Sequence, residues 1–364
     1  MRDLRLIVKP CLGILTVAMV LMGCGATDDI IVDCDAVGDR YPVCHFDKPE
    51  DLELLPDQHT LLVSQLGGMD GEFSGSLALL DTRDHTITRL PIFNEDADEI
   101  WGDTHCPSPP GSVFAPHGIH LSTRADQRLQ LLVVNHGKRE SIEYFEPIEV
   151  DGIWDLRWRG CTVAPPGSFL NDVVALPDGG FLATHMFPKS NPRIGLLGLD
   201  MIKGLFGVKV GHVLHWNGSA FEVMNGSQSP FPNGIQISDD GNTVFLNVYL
   251  KNEVWKLRYP DGELLGKAEI TGPDNSAWDD QGRLLIASQT AGSFDMSACF
   301  SVTSGACGAE FDIVALDPDT MEAEVILTQA GAPMGAATVA LQVGEALYMG
   351  SFASDRILVA PMPR

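Results

Sequence analysis

With 364 residues, 45% of them hydrophobic, and a formal net charge of −25, the chain has material for one large core. Its acidity argues against a nucleic-acid binder, which needs a basic face for phosphate, and suits a protein that takes up cations. Aromatic residues make up only 7%, while 37 glycines and 23 prolines point to many tight turns.

Arg2, Arg5 and Lys9 precede an apolar run over 12–22 that is short for a membrane span. The run ends in Leu21-Met22-Gly23-Cys24, which resembles a bacterial lipobox. Residues 1–23 therefore read as a lipoprotein signal peptide, with lipid expected on Cys24 and a place on the cell envelope, outer membrane rather than inner. A plain secretory signal is the other reading. Residues 24–47, small and acidic, read as a lipidated tether, and 48–364 as the folded domain. Cys34, Cys44, Cys106, Cys161, Cys299 and Cys307 remain for an oxidising compartment, and no CxxC pair invites zinc. Short loops favour Cys34–Cys44 and Cys299–Cys307, which leaves Cys106–Cys161.

From Lys48 onward, short apolar runs are broken by Asp, Gly and Pro, an all-β pattern. A polar turn feeding an apolar strand recurs at 55–65, 122–136, 176–187, 238–250, 278–289 and 341–352. A second apolar strand follows each copy, at 76–90, 141–148, 212–224, 252–270, 312–327 and 355–362. Six such units predict a six-bladed β-propeller, which leaves few exposed edges; tandem sandwiches are the alternative. The glycine-punctuated apolar stretch 188–211, with Lys203 and Lys209, reads as a short helical insertion. It is open to three uses: a lid over the tunnel mouth, a membrane-facing patch, or a helix that caps one end. The acidic run 94–103 lacks calcium-loop spacing and reads as solvated.

Four units are preceded by polar pairs: Glu50-Asp51, Asn171-Asp172, Asn233-Gly234 and Asp274-Asn275. Equivalent positions in a propeller ring its axis at one end, so these groups would converge as an all-oxygen donor set, which suits calcium. Buried there without a cation, they would be left uncompensated. The stretch 115–136 opens on Pro116-His117-Gly118-Ile119 and closes on Asn135-His136. Two strands joined by its polar loop would bring His117 and His136 together, and both can act as bases near neutral pH. There is no GxSxG, which disfavours a serine hydrolase.

The motifs PEDLELLPD, APHGI, LLVVNH, LNDVVALPDG, PNGIQISDDG and PDNSAWDDQGRLLIAS, in this order, resemble those of the calcium-dependent paraoxonases. That family is a branch of the superfamily holding regucalcin and the gluconolactonases. The resemblance implies a six-bladed propeller with two calcium ions in its central tunnel, hydrolysing lactones and aryl esters. Carried over by motif, a catalytic ion would be held by Glu50, Asn171, Asn233, Asp274 and Asn275. A deeper structural ion would take Asp51, Asp172 and the backbone carbonyl of Ile119. His117 would be the general base and His136 its relay partner, with His185, Phe187 and Phe231 in the substrate pocket. The chain departs from the family at GRLLIASQTA, where Gln289 or a neighbour replaces a histidine, so phosphotriester cleavage is not expected to carry over. The expected ligand is a small lactone or ester, with membrane attachment only through Cys24. Two other readings are a sugar lactonase and a non-catalytic calcium-binding propeller that docks an envelope partner.

Overall fold

Six four-stranded antiparallel sheets succeed one another along the chain, and their first strands pack side by side in a closed ring. The computed structural model describes residues 30–68, 73–190, 193–194, 197–292, 296 and 298–363. The signal-like segment and Cys24 lie outside the described residues. The first blade runs outward through Pro49–Leu54, Thr60–Gln65, Ser76–Asp81 and Ile87–Arg89. The second is built from Pro116–Thr123, Leu129–Asn135, Ser141–Val150 and Ile153–Val163. The third uses Leu170–Ala175, Phe181–His185, His212–Trp216 and Phe221–Val223. The fourth has Pro232–Ile237, Thr243–Val248, Glu253–Arg258 and Leu264–Glu269, and the fifth Pro273–Trp278, Leu284–Gln289, Phe311–Leu316 and Ala323–Gln329. Val339–Val343, Ala346–Gly350 and Arg356–Pro361 begin the sixth. This is the six-bladed β-propeller that the repeat predicts.

The core lies between blades. Along Thr60–Gln65, Leu61 and Val63 pack toward the sixth blade with Val339 and Ile357, while Leu62 packs toward the second with Leu131 and Phe145. A strand buried on both faces is apolar nearly throughout, which is why TLLV and LLVV read as unbroken hydrophobic runs.

The stretch 24–47, read above as a tether, is part of the fold from Ile31 onward. Tyr41–Cys44 is the fourth strand of the sixth blade, with Tyr41 opposite Val359 and Cys44 opposite Arg356. Without it, Arg356–Pro361 would present an open edge. Arg356, 0% exposed, donates to the carbonyls of Ile31 (3.0 Å) and Asp33 (2.5 Å) and so ties down the segment before that strand. All three expected disulfides are present: Cys34–Cys44, Cys106–Cys161 and Cys299–Cys307.

The acidic run 94–103 is not simply solvated. Glu99 forms a two-bond pair with Arg128 (2.7 and 2.8 Å), Asp98 pairs with Arg159, and Trp101, 3% exposed, lies under Arg124 at 4.1 Å. Between the second and third strands of the third blade sits a short helix, Leu199–Leu205. Gly204 brings it against Leu250 of the fourth blade, where a Cβ would come within 2.6 Å. Leu205 and Phe206 are left exposed.

Candidate metal centre and histidine pair

Five of the six innermost strands open alike. Aligned by position they read Pro49-Glu50-Asp51-Leu52, Pro116-His117-Gly118-Ile119, Leu170-Asn171-Asp172-Val173, Pro232-Asn233-Gly234-Ile235 and Pro273-Asp274-Asn275-Ser276. In each, pairing with the second strand loses register inside this quartet. A bulge there re-aims the second and third side chains out of the ladder, and all of those that are polar are buried. They meet across blades: the Asn275 amide donates to Glu50 Oε1 at 2.8 Å, and His117 Nε2 stands 3.5 Å from the same oxygen. His117 thus occupies, in its blade, the position held by Glu50, Asn171, Asn233 and Asp274 in theirs. Neighbouring blades clamp the backbone of that position. The Thr338 hydroxyl donates to the Glu50 carbonyl (2.6 Å), Ser64 to that of His117 (2.5 Å), and the Asn247 amide to that of Asp274.

The third position alternates in bulk. Asp51 Oδ2 accepts the Ile119 N–H (2.7 Å) and Asp172 Oδ2 the Ile235 N–H (2.8 Å), each one blade further on. Ile119 thus enters the site through its N–H. Each aspartate also accepts the N–H of the residue after it, Leu52 or Val173. The glycines between them make room: a Cβ on Gly118 would lie 2.5 Å from Asp172 Oδ1, and one on Gly234 2.4 Å from the Asp274 carbonyl.

Four carboxylates, Glu50, Asp51, Asp172 and Asp274, are buried together, and among the described residues no lysine or arginine pairs with any of them. Burial, with Asp172 and Glu50 nearby, holds Asp51 well above the ordinary carboxylate range. Asp172 and Asp274 are raised chiefly by burial, with Glu50 adding repulsion. Glu50 Oε2, Asn171 Oδ1, Asn233 Oδ1, Asn247 Oδ1 and Asn275 Oδ1 are buried acceptors without a hydrogen-bond partner. Unmatched acceptor oxygens beside unneutralised carboxylates fit a hard cation. Among the described residues no three His, Cys, Asp or Glu side chains form a ligand group, and half of the side chains gathered here are amides.

His117 Nδ1 and His136 Nε2 are 2.9 Å apart, as the 115–136 stretch predicts. His136 Nδ1 lies 2.8 Å from Glu140 Oε1, and Lys189 Nζ bonds Glu140 Oε2 at 2.7 Å. From His136 an aromatic arc runs through Phe169 (5.2 Å), Phe187 (5.4 Å), Phe231 (5.4 Å) and Tyr249 (5.4 Å). The Tyr249 hydroxyl then donates to Gln289 Oε1 (2.6 Å), whose amide donates to Asp274 Oδ2 (2.5 Å). Phe187 and Phe231 therefore stand next to each other in this arc. His185 sits behind the arc, its Nδ1 accepting the Phe169 N–H, and burial pulls its pKa down to about 4. A cavity of about 820 Å³ opens beyond Asp51 and Asp172, lined by Glu53, His120 and Asp178, but none of Glu50, His117 or His136 borders it.

Sequence reasoning missed Glu140, Asn247, Ser64, Phe169 and Tyr249. Ser64 and Asn247 had a usable signal, a polar residue directly after the apolar run of a second strand. Glu140 had none, since it lies in the charged run Lys138-Arg139-Glu140.

The fold is shared with solved structures. A gluconolactonase from Xanthomonas campestris superposes with a TM-score of 0.51 at 17% identity, covering 92% of this chain and 97% of that one. The calcium-binding protein regucalcin from Agrobacterium tumefaciens gives 0.51 at 14% identity, over 90% and 95%. At family level, residues 43–354 match the arylesterase model, and the chain belongs to the arylesterase family. Serum paraoxonase/arylesterase 1 of Homo sapiens is 28% identical over 225 residues, 57% of this chain and 58% of its own length; that of Rattus norvegicus is 27% identical. The chain thus spans a little over half the length of the curated relatives it matches.

Proposed function

We propose that the protein is a calcium-dependent hydrolase of lactones and aryl esters. The observation that carries this reading is the set of unpartnered buried oxygens on Glu50, Asn171, Asn233 and Asn275 around the His117–His136 pair. One cation would be held by Glu50, Asn171, Asn233, Asp274 and Asn275. A deeper one would be held by Asp51, Asp172 and the Ile119 carbonyl. When bound, the first cation supplies positive charge where an ester carbonyl develops oxyanion character. His117 takes a proton from the attacking water and returns it to the leaving alcohol or phenol, while His136 holds the ring of His117 in place. Phe169, Phe187 and Phe231 offer the acyl or aryl group an apolar wall that keeps bulk water off the reacting carbon. Gln289 or a neighbour takes the place of the family's histidine, and the Gln289 amide donates to Asp274.

The test is a panel of aliphatic, aromatic and sugar lactones with phenyl esters, run with and without a chelator. The expected result is hydrolysis abolished by chelation and restored by calcium. His117→Gln is expected to lower kcat by roughly 100-fold or more, the usual weight of a general base. No turnover of any panel member, with calcium bound, favours the non-catalytic reading. Turnover confined to sugar lactones favours the gluconolactonase one.

A further inference from the structure

The histidine pair does not end at His136. Glu140, four residues on, places Oε1 2.8 Å from His136 Nδ1. That oxygen also accepts the Leu170 N–H at 2.8 Å, and Oε2 is held by Lys189 Nζ at 2.7 Å, so both oxygens of the carboxylate are fixed. Burial raises Glu140, but His136 and Lys189 outweigh it, and the group sits below its usual range. His136 is lowered, burial outweighing the pull of Glu140, so the ring is neutral. An ionised carboxylate only accepts hydrogen bonds. His136 therefore carries its proton on Nδ1 and leaves Nε2 bare. Facing that bare nitrogen at 2.9 Å, His117 must donate from its own Nδ1. In a neutral His117 ring, Nε2, on the Glu50 side, is then the nitrogen without a hydrogen.

We infer that Glu140 is the positioning residue of the histidine pair: through His136 it fixes the tautomer that leaves His117 Nε2 free to accept a proton. Lys189, at the entrance of the 188–211 insertion, anchors the carboxylate on its far side. Without Glu140 the pair can adopt the reverse order, with His136 Nε2–H pointing at His117 Nδ1. His117 Nε2 then carries the hydrogen and cannot act as a base. The consequence for catalysis rests on the hydrolase reading; the tautomer itself does not.

The experiment combines histidine ¹⁵N NMR of the full calcium-loaded chain with steady-state kinetics. His136→Gln assigns the signals of the pair. The wild type is expected to show Nδ1–H and bare Nε2 on both rings. Glu140→Gln is expected to shift His136 toward Nε2–H and to cut kcat by about tenfold or more with KM within about threefold. Glu140→Asp should recover part of the loss. Lys189→Met, which leaves Oε1 and the Leu170 contact intact but removes a charge that helps keep Glu140 ionised, should lose less kcat than Glu140→Gln. A wild-type spectrum with Nε2–H on His136 overturns the inference. So does a folded Glu140→Gln protein that keeps wild-type kcat, or a Lys189→Met protein that loses as much as Glu140→Gln, which would make Glu140 only an anchor for the insertion. Should Glu140→Gln not fold, the wild-type spectrum and Glu140→Asp still decide. Should the wild type hydrolyse no ester, the hydrolase reading fails while the tautomer is judged by NMR alone.

Discussion

At the scale of single residues, the site is built by alternation of bulk around one ring. Asp51 and Asp172 reach across to the next blade's backbone, and Gly118 and Gly234 leave space for their neighbours. Gly118 is required because a methyl there would meet Asp172 Oδ1 at 2.5 Å and the Asn171 carbonyl at 2.6 Å, and backbone has little freedom to retreat. Gly118→Ala is therefore expected to lose roughly 1–3 kcal/mol by overpacking. It should also weaken calcium binding by about 10–100-fold, as changes behind metal ligands do. Thermal melts and calcium titration check this, and an unchanged calcium affinity would sink the account. The polar pairs and the two histidines were legible because they recur in step with the repeat. Gly118 read only as part of a turn, since the chain itself does not show that Asp172, from another blade, fills the space above it. Glu140 stayed hidden for a related reason: its meaning depends on Leu170 and Lys189, which belong to the next blade and its insertion.

At the scale of elements, the repeat was legible and the closure was not. Twelve apolar segments in six pairs announced the propeller, because strands buried between two blades carry hydrophobic residues on both faces. Tyr41–Cys44 is only four residues long, sits in an acidic and small-residue context, and has its partner at the far end of the chain. No local pattern could link the two. The same holds for Trp101, whose burial depends on arginines contributed by the second blade. If 24–47 were a tether, removing residues up to 46 would leave the melting temperature unchanged. The structure predicts otherwise: Arg356 loses its acceptors on Ile31 and Asp33, and the sixth blade loses a strand. With about 1–3 kcal/mol for each buried donor left unmatched, a fall of about 10 °C or more is expected. Truncation at residue 29 is the control and should change little.

At the scale of the whole molecule, buried acidity makes stability depend on pH and, on the proposed reading, on calcium as well. The pKa values of Asp51, Asp172 and Asp274 are raised in the folded chain. A group raised in this way contributes stability below its unfolded value, near 4, and the contribution is lost as pH climbs toward the folded value. Calcium-free protein should therefore melt lower as pH rises above about 4, the ordinary value of these groups. If calcium is held as proposed, it binds the ionised carboxylates, and the stabilisation it brings should grow over the same interval. Melts in chelator and in calcium at several pH values test this, and parallel curves would show that these carboxylates do not hold the ion. The pairing of Tyr41 with Val359 carries a further consequence, one of timing. The residue synthesised near the start must wait for one made near the end before the ring can be latched. A chain released early, short of Arg356, has no partner for its first strand and keeps a raw edge on each side of the gap. The sixth blade is thus complete only once two strands far apart along the chain have both been made.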